Sequence, residues 1–262
     1  MKPQTIVFFD IDHTIYDPIK KEVPISTQLA FKKLKARKDV LIAIATGRAF
    51  YMLDVIECLK PYIDIYITIN GQLILYDNVI IHEEAMKDDA IIKVLKVLKE
   101  NDLVYGYYGK DTQLISDLSP YAITMYEKAN MPIPKTIEAV EKNLAIYQLW
   151  AFSPKHTTKK IQDALSDFLV VPWLSDGFDI LMPSKTKKEG VQFVLDYFSL
   201  DVNQAVCFGD SDNDLEMLQY IPCSIAMGNS KAHIKRIAKH VTQSYDQQGI
   251  YNALVKLDLI KE

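Results

Sequence analysis

Thr5-Ile6-Val7-Phe8-Phe9 runs straight into Asp10-Ile11-Asp12-His13-Thr14, an apolar stretch that ends abruptly in two carboxylates. A short apolar run without alternation suits a strand buried on both faces of a parallel sheet. The pattern recurs along the chain. VLIAIA at 40–45 ends in Thr46-Gly47-Arg48, and QAVCF at 204–208 ends in Gly209-Asp210-Ser211-Asp212-Asn213-Asp214. DIYITI at 64–69 and CSIAM at 223–227 are further runs of the same kind. Helical periodicity fills the gaps. One helix is capped by Ser26 and runs to about Arg37; others cover 49–59, 188–198, 212–220, 230–238 and 247–256. Strands alternating with helices specify an α/β fold, a Rossmann-like, doubly wound parallel sheet. Ligands bind beyond the carboxyl ends of the strands in such a sheet. The three polar strand ends are therefore the candidate site.

The middle of the chain reads differently. Residues 88–100 form an amphipathic helix with Ile91, Ile92, Leu95 and Leu98 on one face. Strands are expected at 102–108, 111–116 and 144–152, then a helix opened by Ser153-Pro154 and ending near Phe168. Two last strands, 169–174 and 177–183, are joined by Ser175-Asp176. This is an α+β module at 83–183, inserted into a core made of 1–82 and 184–262. Its aromatics (Tyr105, Tyr107, Tyr108, Tyr121, Tyr126, Tyr147, Trp150 and Trp173) read mainly as the module's own core.

Composition excludes several classes. At 49% hydrophobic and 24% charged residues, the chain is not a disordered one. A net charge of −4 leaves no electrostatic footprint for nucleic acid. No apolar run reaches the roughly 18 residues of a membrane helix. Cys58, Cys207 and Cys223 are odd in number and far apart, which argues against a disulfide framework or a zinc site. The expectation is a soluble cytoplasmic protein. No coiled-coil seam or long apolar stripe points to a dimer, so a monomer is expected.

Asp10, Asp12, Asp210 and Asp214 brought together would repel one another, and like charges at close range do not all stay ionised without a counter-charge. A hard divalent cation held by oxygen ligands, Mg²⁺ before others, answers this. Thr46, Arg48 and a lysine would donate to an anion's oxygens. Carboxylates, cation, threonine and lysine together fit phosphoryl transfer, in which charge neutralisation and positioning do most of the work.

Asp10-x-Asp12-x-Thr14 resembles the DxDxT signature of the haloacid dehalogenase superfamily. Thr46-Gly47-Arg48 is similar to its second motif, and Gly209-Asp210-x-x-Asn213-Asp214 to its fourth. The third is a lysine at a helix start, for which Lys187 and Lys188 both stand as candidates. Spacing in the Cof-type phosphatases, the branch with a large α/β cap, favours Lys187. Asn70-Gly71, Ala226-Met227-Gly228-Asn229 and Asp246-x-x-Gly249-Ile250-x-x-Ala253-Leu254 resemble further segments of that branch. The likeness spans nearly the whole chain. His13 departs from it, because the family most often has glycine there.

The resemblance implies roles. Asp10 would attack phosphorus and carry the phosphoryl group; Asp12 would act as general acid and base. Thr46, Gly47, Arg48, Lys187 and Asn213 would bind phosphate. Mg²⁺ would be held by Asp10, the backbone carbonyl of Asp12 and Asp210, with Asp214 behind them or acting through water. The implied substrate is a small phosphate ester, a sugar phosphate or a cofactor or nucleotide phosphate, selected by the cap. A phosphomutase and a non-catalytic phospho-ligand sensor are the alternatives. Asp12 speaks against a dehalogenase, which has no leaving alcohol to protonate.

Overall fold

Val7 and Phe9 point to one side of the first strand and Ile6 and Phe8 to the other, and all four are fully buried. A strand of this kind needs a layer of helices on each face, and the computed structural model supplies them. It describes residues 3–129, 133–137, 145–153, 155–173, 176–183 and 185–262. Pro154 and Ser175, read above as a helix start and a turn, and the first residue of the strand expected at 144, lie outside the described residues.

The chain divides into two compact units, Met1–Glu83 with Lys185–Glu262, and Glu84–Ser184. The first stretch carries β1 (Thr5–Phe9), α1 (Ile25–Lys35), β2 (Val40–Ala45), β3 (Ile65–Thr68), β4 (Leu73–Tyr76) and β5 (Val79–Glu83). The inserted unit carries α2 (Asp88–Glu100), β6 (Tyr105–Tyr108), β7 (Gln113–Ile115), α3 (Pro120–Ala129), β8 (Lys135–Thr136), β9 (Gln148–Ala151), α4 (Lys155–Ala164), β10 (Leu169–Pro172) and β11 (Phe178–Leu181). The last stretch carries α5 (Lys187–Phe198), β12 (Ala205–Gly209), α6 (Leu215–Tyr220), β13 (Cys223–Ala226), α7 (Ala232–Ile237), β14 (His240–Val241) and α8 (Gly249–Lys256).

The first unit is one sheet in the order β14-β13-β12-β1-β2-β3-β4-β5. Strands β14 to β3 run parallel; β4 and β5 add an antiparallel hairpin at the edge, which the sequence reading did not foresee. Helices α1 and α8 cover one face, with Phe31, Leu34, Ile250 and Leu254 on Val7, Phe9, Ile42 and Ile44. Helices α5, α6 and α7 cover the other, with Val191, Val194, Met217, Leu218 and Ile234 on Ile6, Phe8, Ala43 and Cys207. From β1 the chain winds out through β2 and β3, then returns to build β12 and β13 on β1's other side. That reversal is the switch point where doubly wound sheets bind ligands.

Several local expectations need correction. Helix α1 starts at Ile25 after Pro24, whose carbonyl accepts from the amides of Thr27 (2.9 Å) and Gln28 (3.1 Å); Ser26 lies inside the first turn and does not cap it. The segment expected as an α-helix at 49–59 is a 3-10 helix, Phe50–Tyr62, interrupted at Ile56. Buried Leu53, Ile56 and Leu59 recur every third residue, the repeat of a 3-10 helix, and Pro61 removes one amide near its end. On α2 the buried residues are Ile91, Val94 and Leu98, while Ile92 is 66% exposed. One residue's advance turns a helix by about 100°, enough to take Ile92 off the buried stripe.

The inserted unit is a six-stranded sheet, β10-β11-β9-β6-β7-β8. Val94, Leu98 and Ile161 pack on Leu149, Phe178 and Ile180. On β9, Trp150 is fully buried against Tyr126 (ring centroids 5.9 Å), Phe152 (5.2 Å) and Trp173 (6.1 Å). Gly106 leaves room for its indole, since a Cβ there would stand 2.1 Å from the ring. Trp150, Tyr126 and Phe152 are core, Trp173 is half-buried, and Tyr121, expected above among the core aromatics, is 41% exposed. Among the described residues no helix is long and apolar enough to cross a membrane.

Candidate active site

Register brings the strand ends together. Phe9 pairs with Phe208 on one side of β1 and with Ile44 on the other. Asp10 therefore emerges level with Gly209-Asp210 and with Ala45-Thr46, and its amide donates to the Phe208 carbonyl at 3.0 Å. Beyond Asp10 the chain turns tightly. The amides of Thr14, Ile15 and Tyr16 all reach the Ile11 carbonyl (3.2, 3.0 and 2.9 Å). His13 closes this turn with φ 59°, a left-handed conformation that an L-residue with a Cβ adopts at a cost. Thr14 is fully buried, and its hydroxyl donates to Asp210 Oδ1 at 3.4 Å. The third residue of the first motif thus ties the β1 loop to the β12 loop.

After β12, Gly209 makes room for Asp214: a Cβ at 209 would stand 2.6 Å from the Asp214 carboxyl carbon. Asp214 Oδ2 accepts from the amides of Asp210 (2.9 Å) and Ser211 (3.0 Å), and Oδ1 accepts from Lys187 Nζ at 2.7 Å. Asn213 accepts from the Ser211 hydroxyl at 2.7 Å.

Lys187 is the first residue of α5, and its side chain is completely buried. Its ammonium lies 2.6 Å from Asp10 Oδ1 as well as 2.7 Å from Asp214. Lys188 turns away, donating to Gln192 at 2.8 Å. A capping box sets this choice: Glu189 accepts from the Thr186 amide at 3.1 Å and from its hydroxyl. Thr186-x-x-Glu189 was legible as a helix start, and it places Lys187 at the first helical position.

Two glycines set how closely α5 approaches the sheet. Gly71 has φ +99°, and a Cβ on it would stand 2.8 Å from the Thr186 carbonyl; a Cβ on Gly190 would stand 2.9 Å from Gly71 Cα and 2.5 Å from Ile67. Gly→Ala inside a helix ordinarily stabilises by about 0.5–1 kcal/mol. Here overpacking at about 1–3 kcal/mol outweighs that gain. Gly190→Ala is expected to lower the melting temperature and to cut activity by displacing Lys187; a variant more stable than the parent would show that the approach is not tight.

The second motif is held by a strained turn. Ile69, Asn70 and Gly71 all have positive φ (49°, 52° and 99°), and such a conformation is uncommon for a β-branched residue. The strain persists because the turn is pinned: the Ile69 amide donates to Arg48 O and the Asn70 amide to Thr46 O, both at 3.0 Å. Gly47 lies beside Asn70 and Asn213, the atoms nearest to a Cβ built on it being at 3.3 Å and 3.7 Å. Thr46 is buried, and its hydroxyl accepts from the Arg48 amide at 3.1 Å.

Arg48 grips Asp12 with a two-pronged ion pair, Nε to Oδ2 at 2.8 Å and Nη2 to Oδ1 at 2.7 Å. Burial pushes the Asp12 carboxyl up, but the Arg48 charge and hydrogen bonds outweigh it and hold Asp12 below the usual carboxylate range. Asp10 and Asp210 go the other way. Burial raises both; Asp214 next to Asp10, and Asp10 and Asp214 next to Asp210, raise them further. Burial disfavours the Lys187 ammonium, yet the two carboxylates against it win and raise its pKa.

Carboxylate oxygens of Asp10, Asp210 and Asp214 lie within 4.8 Å of one another, a buried all-oxygen set suited to a hard divalent cation. The Asp12 carboxylate, expected above among the metal residues, is not in the set and is paired with Arg48 instead. Asp214 is already bonded through both oxygens, whereas Asp10 Oδ2 has no protein donor among the described residues. A cation here would also relieve the repulsion that raises Asp10 and Asp210.

The profile of the haloacid dehalogenase-like hydrolases matches residues 7–254. The chain belongs to that family. It is 31% identical over 259 residues to "Putative phosphatase YkrA" of Bacillus subtilis, covering 98% of each chain. Over 79 residues, 30% of this chain and 28% of the other, it is 35% identical to the 5-amino-6-(5-phospho-D-ribitylamino)uracil phosphatase YitU of the same organism. A solved subclass IIB sugar phosphatase of the superfamily shares the fold, with a TM-score of 0.89 and 24% identity over 98% of this chain and all of that one. This hydrolase is a phosphatase of the Cof-type branch.

Proposed function

We propose that this hydrolase is a Mg²⁺-dependent, cytoplasmic, monomeric phosphatase of small phosphorylated metabolites that works through a phosphorylated Asp10. The observation that carries the reading is the buried Lys187 ammonium between Asp10 and Asp214, with Asp210 beside them. In the proposed reaction Asp10 attacks phosphorus as the bond to the leaving oxygen breaks, and Asp12 gives that oxygen a proton. Asp12 then takes a proton from water, which attacks phosphorus and releases Asp10. One hard displacement becomes two easier ones.

Thr46, Gly47, Lys187 and Asn213 bind the phosphoryl oxygens in this scheme. Arg48 fits two duties. Paired with Asp12, it keeps that carboxylate ionised, the form that accepts a proton from water. Drawn onto phosphate, it frees Asp12 to carry a proton. Asp10, Asp210 and the Asp12 carbonyl would hold Mg²⁺, with Asp214 orienting them from behind. The ion supplies positive charge against the repulsion between carboxylate and phosphate, about 4 kcal/mol per charge pair at roughly 4 Å and an effective dielectric near 20. The inserted unit serves as the cap that selects the leaving group.

The test is phosphate release from para-nitrophenyl phosphate and from a panel of sugar, nucleotide and cofactor phosphates. The panel includes the phosphoribitylamino-uracil ester named for YitU and the esters favoured by sugar phosphatases. Release with Mg²⁺ is expected to fall by at least about 100-fold in EDTA, since one lost charge pair outweighs two decades at 1.36 kcal/mol each. Release undiminished by EDTA would remove the metal. Isomerised product in place of free phosphate would turn the reading to a mutase.

A further inference from the structure

We propose that Asn229 is a positioning residue: it holds the strained turn at His13 and, through that turn, keeps the Asp12 carbonyl aimed for Mg²⁺. The role rests on the phosphatase reading above, and within it on the metal site.

Asn229 lies just past β13 and is exposed, so it adds little to the core. Its side chain nevertheless spans two other loops. Nδ2 donates to the His13 carbonyl at 2.9 Å, while Oδ1 accepts from the Tyr245 amide at 3.4 Å and the Ser244 hydroxyl at 3.3 Å. A carbonyl only accepts and a backbone amide only donates, so the Asn229 amide fits between them one way round. The His13 ring meets the Tyr245 ring at a centroid distance of 5.8 Å, which joins the same two loops a second time.

The bond falls where the backbone is strained. His13 stands at φ 59°, a conformation that costs a residue with a Cβ and does not cost glycine. Such strain persists only where the surroundings over-determine it. The peptide joining His13 to Thr14 is held at both ends, its carbonyl by Asn229 and its amide by the Ile11 carbonyl at 3.2 Å. With that peptide fixed, φ at His13 sets the direction of the next one back, which carries the Asp12 carbonyl. Released from Asn229, the turn is free to relax toward negative φ, and the Asp12 carbonyl swings with it. The hydroxyl of Thr14 reaches Asp210 Oδ1 at 3.4 Å, so the same relaxation disturbs a second residue of the metal site.

The experiment is a double-mutant cycle over the parent, Asn229→Ala, His13→Gly and the double variant. Calorimetry gives the Mg²⁺ affinity of each free protein, and phosphate release from para-nitrophenyl phosphate gives the Mg²⁺ concentration for half-maximal rate. In the parent background Asn229→Ala is expected to weaken both by about tenfold, the scale of one lost hydrogen bond, with the melting temperature held within about 3 °C. In the His13→Gly background there is no strain left to hold, and the same substitution is expected to cost about threefold or less. Equal losses in the two backgrounds, or no loss in the parent, would overturn the role of Asn229 while leaving the phosphatase standing. A folded parent that binds Mg²⁺ but releases no phosphate would overturn the phosphatase reading, and the calorimetric cycle would still decide the role of Asn229. A parent that binds no Mg²⁺ would overturn the metal site and the role of Asn229 with it.

Discussion

Asp10→Asn is expected to abolish phosphate release while the protein stays folded. The amide has the shape of the carboxylate but is no nucleophile at phosphorus, so turnover should fall by at least about three orders of magnitude. Stability should hold for an electrostatic reason. Burial and the adjacent Asp214 raise the Asp10 carboxyl, which means that its charged form is disfavoured in the folded chain. Removing that charge weakens the hydrogen bond from Lys187, which an amide oxygen still accepts, and relieves repulsion from Asp214 and Asp12, two effects of opposite sign. Thermal unfolding and phosphate release from the same preparation check both halves. Residual activity of more than a few per cent, in protein shown by mass to be free of deamidation, would remove Asp10 as nucleophile.

Lys187→Met is expected to be the most destabilising of the substitutions considered. Methionine fills a similar volume, but two buried carboxylates lose their shared cation, and breaking a buried ion pair from one side typically costs about 3–5 kcal/mol. The pH dependence identifies the cause. A carboxyl whose pKa is raised in the folded chain binds its proton more tightly there than in the unfolded chain. Its favourable contribution is present at low pH and is lost as pH rises through the folded value. Lys187 lowers Asp10 and Asp210 and so limits this loss. Without it those folded values rise further, so the gap between variant and parent should stay constant up to about pH 7, the folded value of Asp10 in the parent, and widen above it, measured by urea unfolding of metal-free protein. A gap that does not change with pH would point to packing rather than charge. Lys188→Met, on a partly exposed lysine paired with Gln192, is the control and should stay within about 0.5 kcal/mol.

The core strands were legible because burial on both faces leaves a continuous apolar run, as in β1, β2 and β12. The edge hairpin of β4 and β5 was not, because edge strands carry mixed composition; β5 has exposed or half-buried residues throughout. The 3-10 helix at Phe50–Tyr62 hid behind a reading of α-helical period, although its three-residue repeat was in view. Within the site, the acidic strand ends stood out as sequence. Their partners did not: Arg48 was as open to phosphate as to Asp12, and nothing local linked Gly71 to Gly190.

The sequence by itself determined the α/β class, the inserted module, the family likeness and the residues at the ends of the strands. Each of these is written in local order: an apolar run, a motif, a cap. Tertiary structure alone decided which carboxylates share Lys187, that Arg48 closes on Asp12, and that Asp10, Asp210 and Asp214 form one oxygen cluster. Those outcomes depend on strand order and register between residues up to about 200 positions apart. Such pairings are selected by the packing of two helical layers on one sheet, and no stretch of chain carries that information on its own.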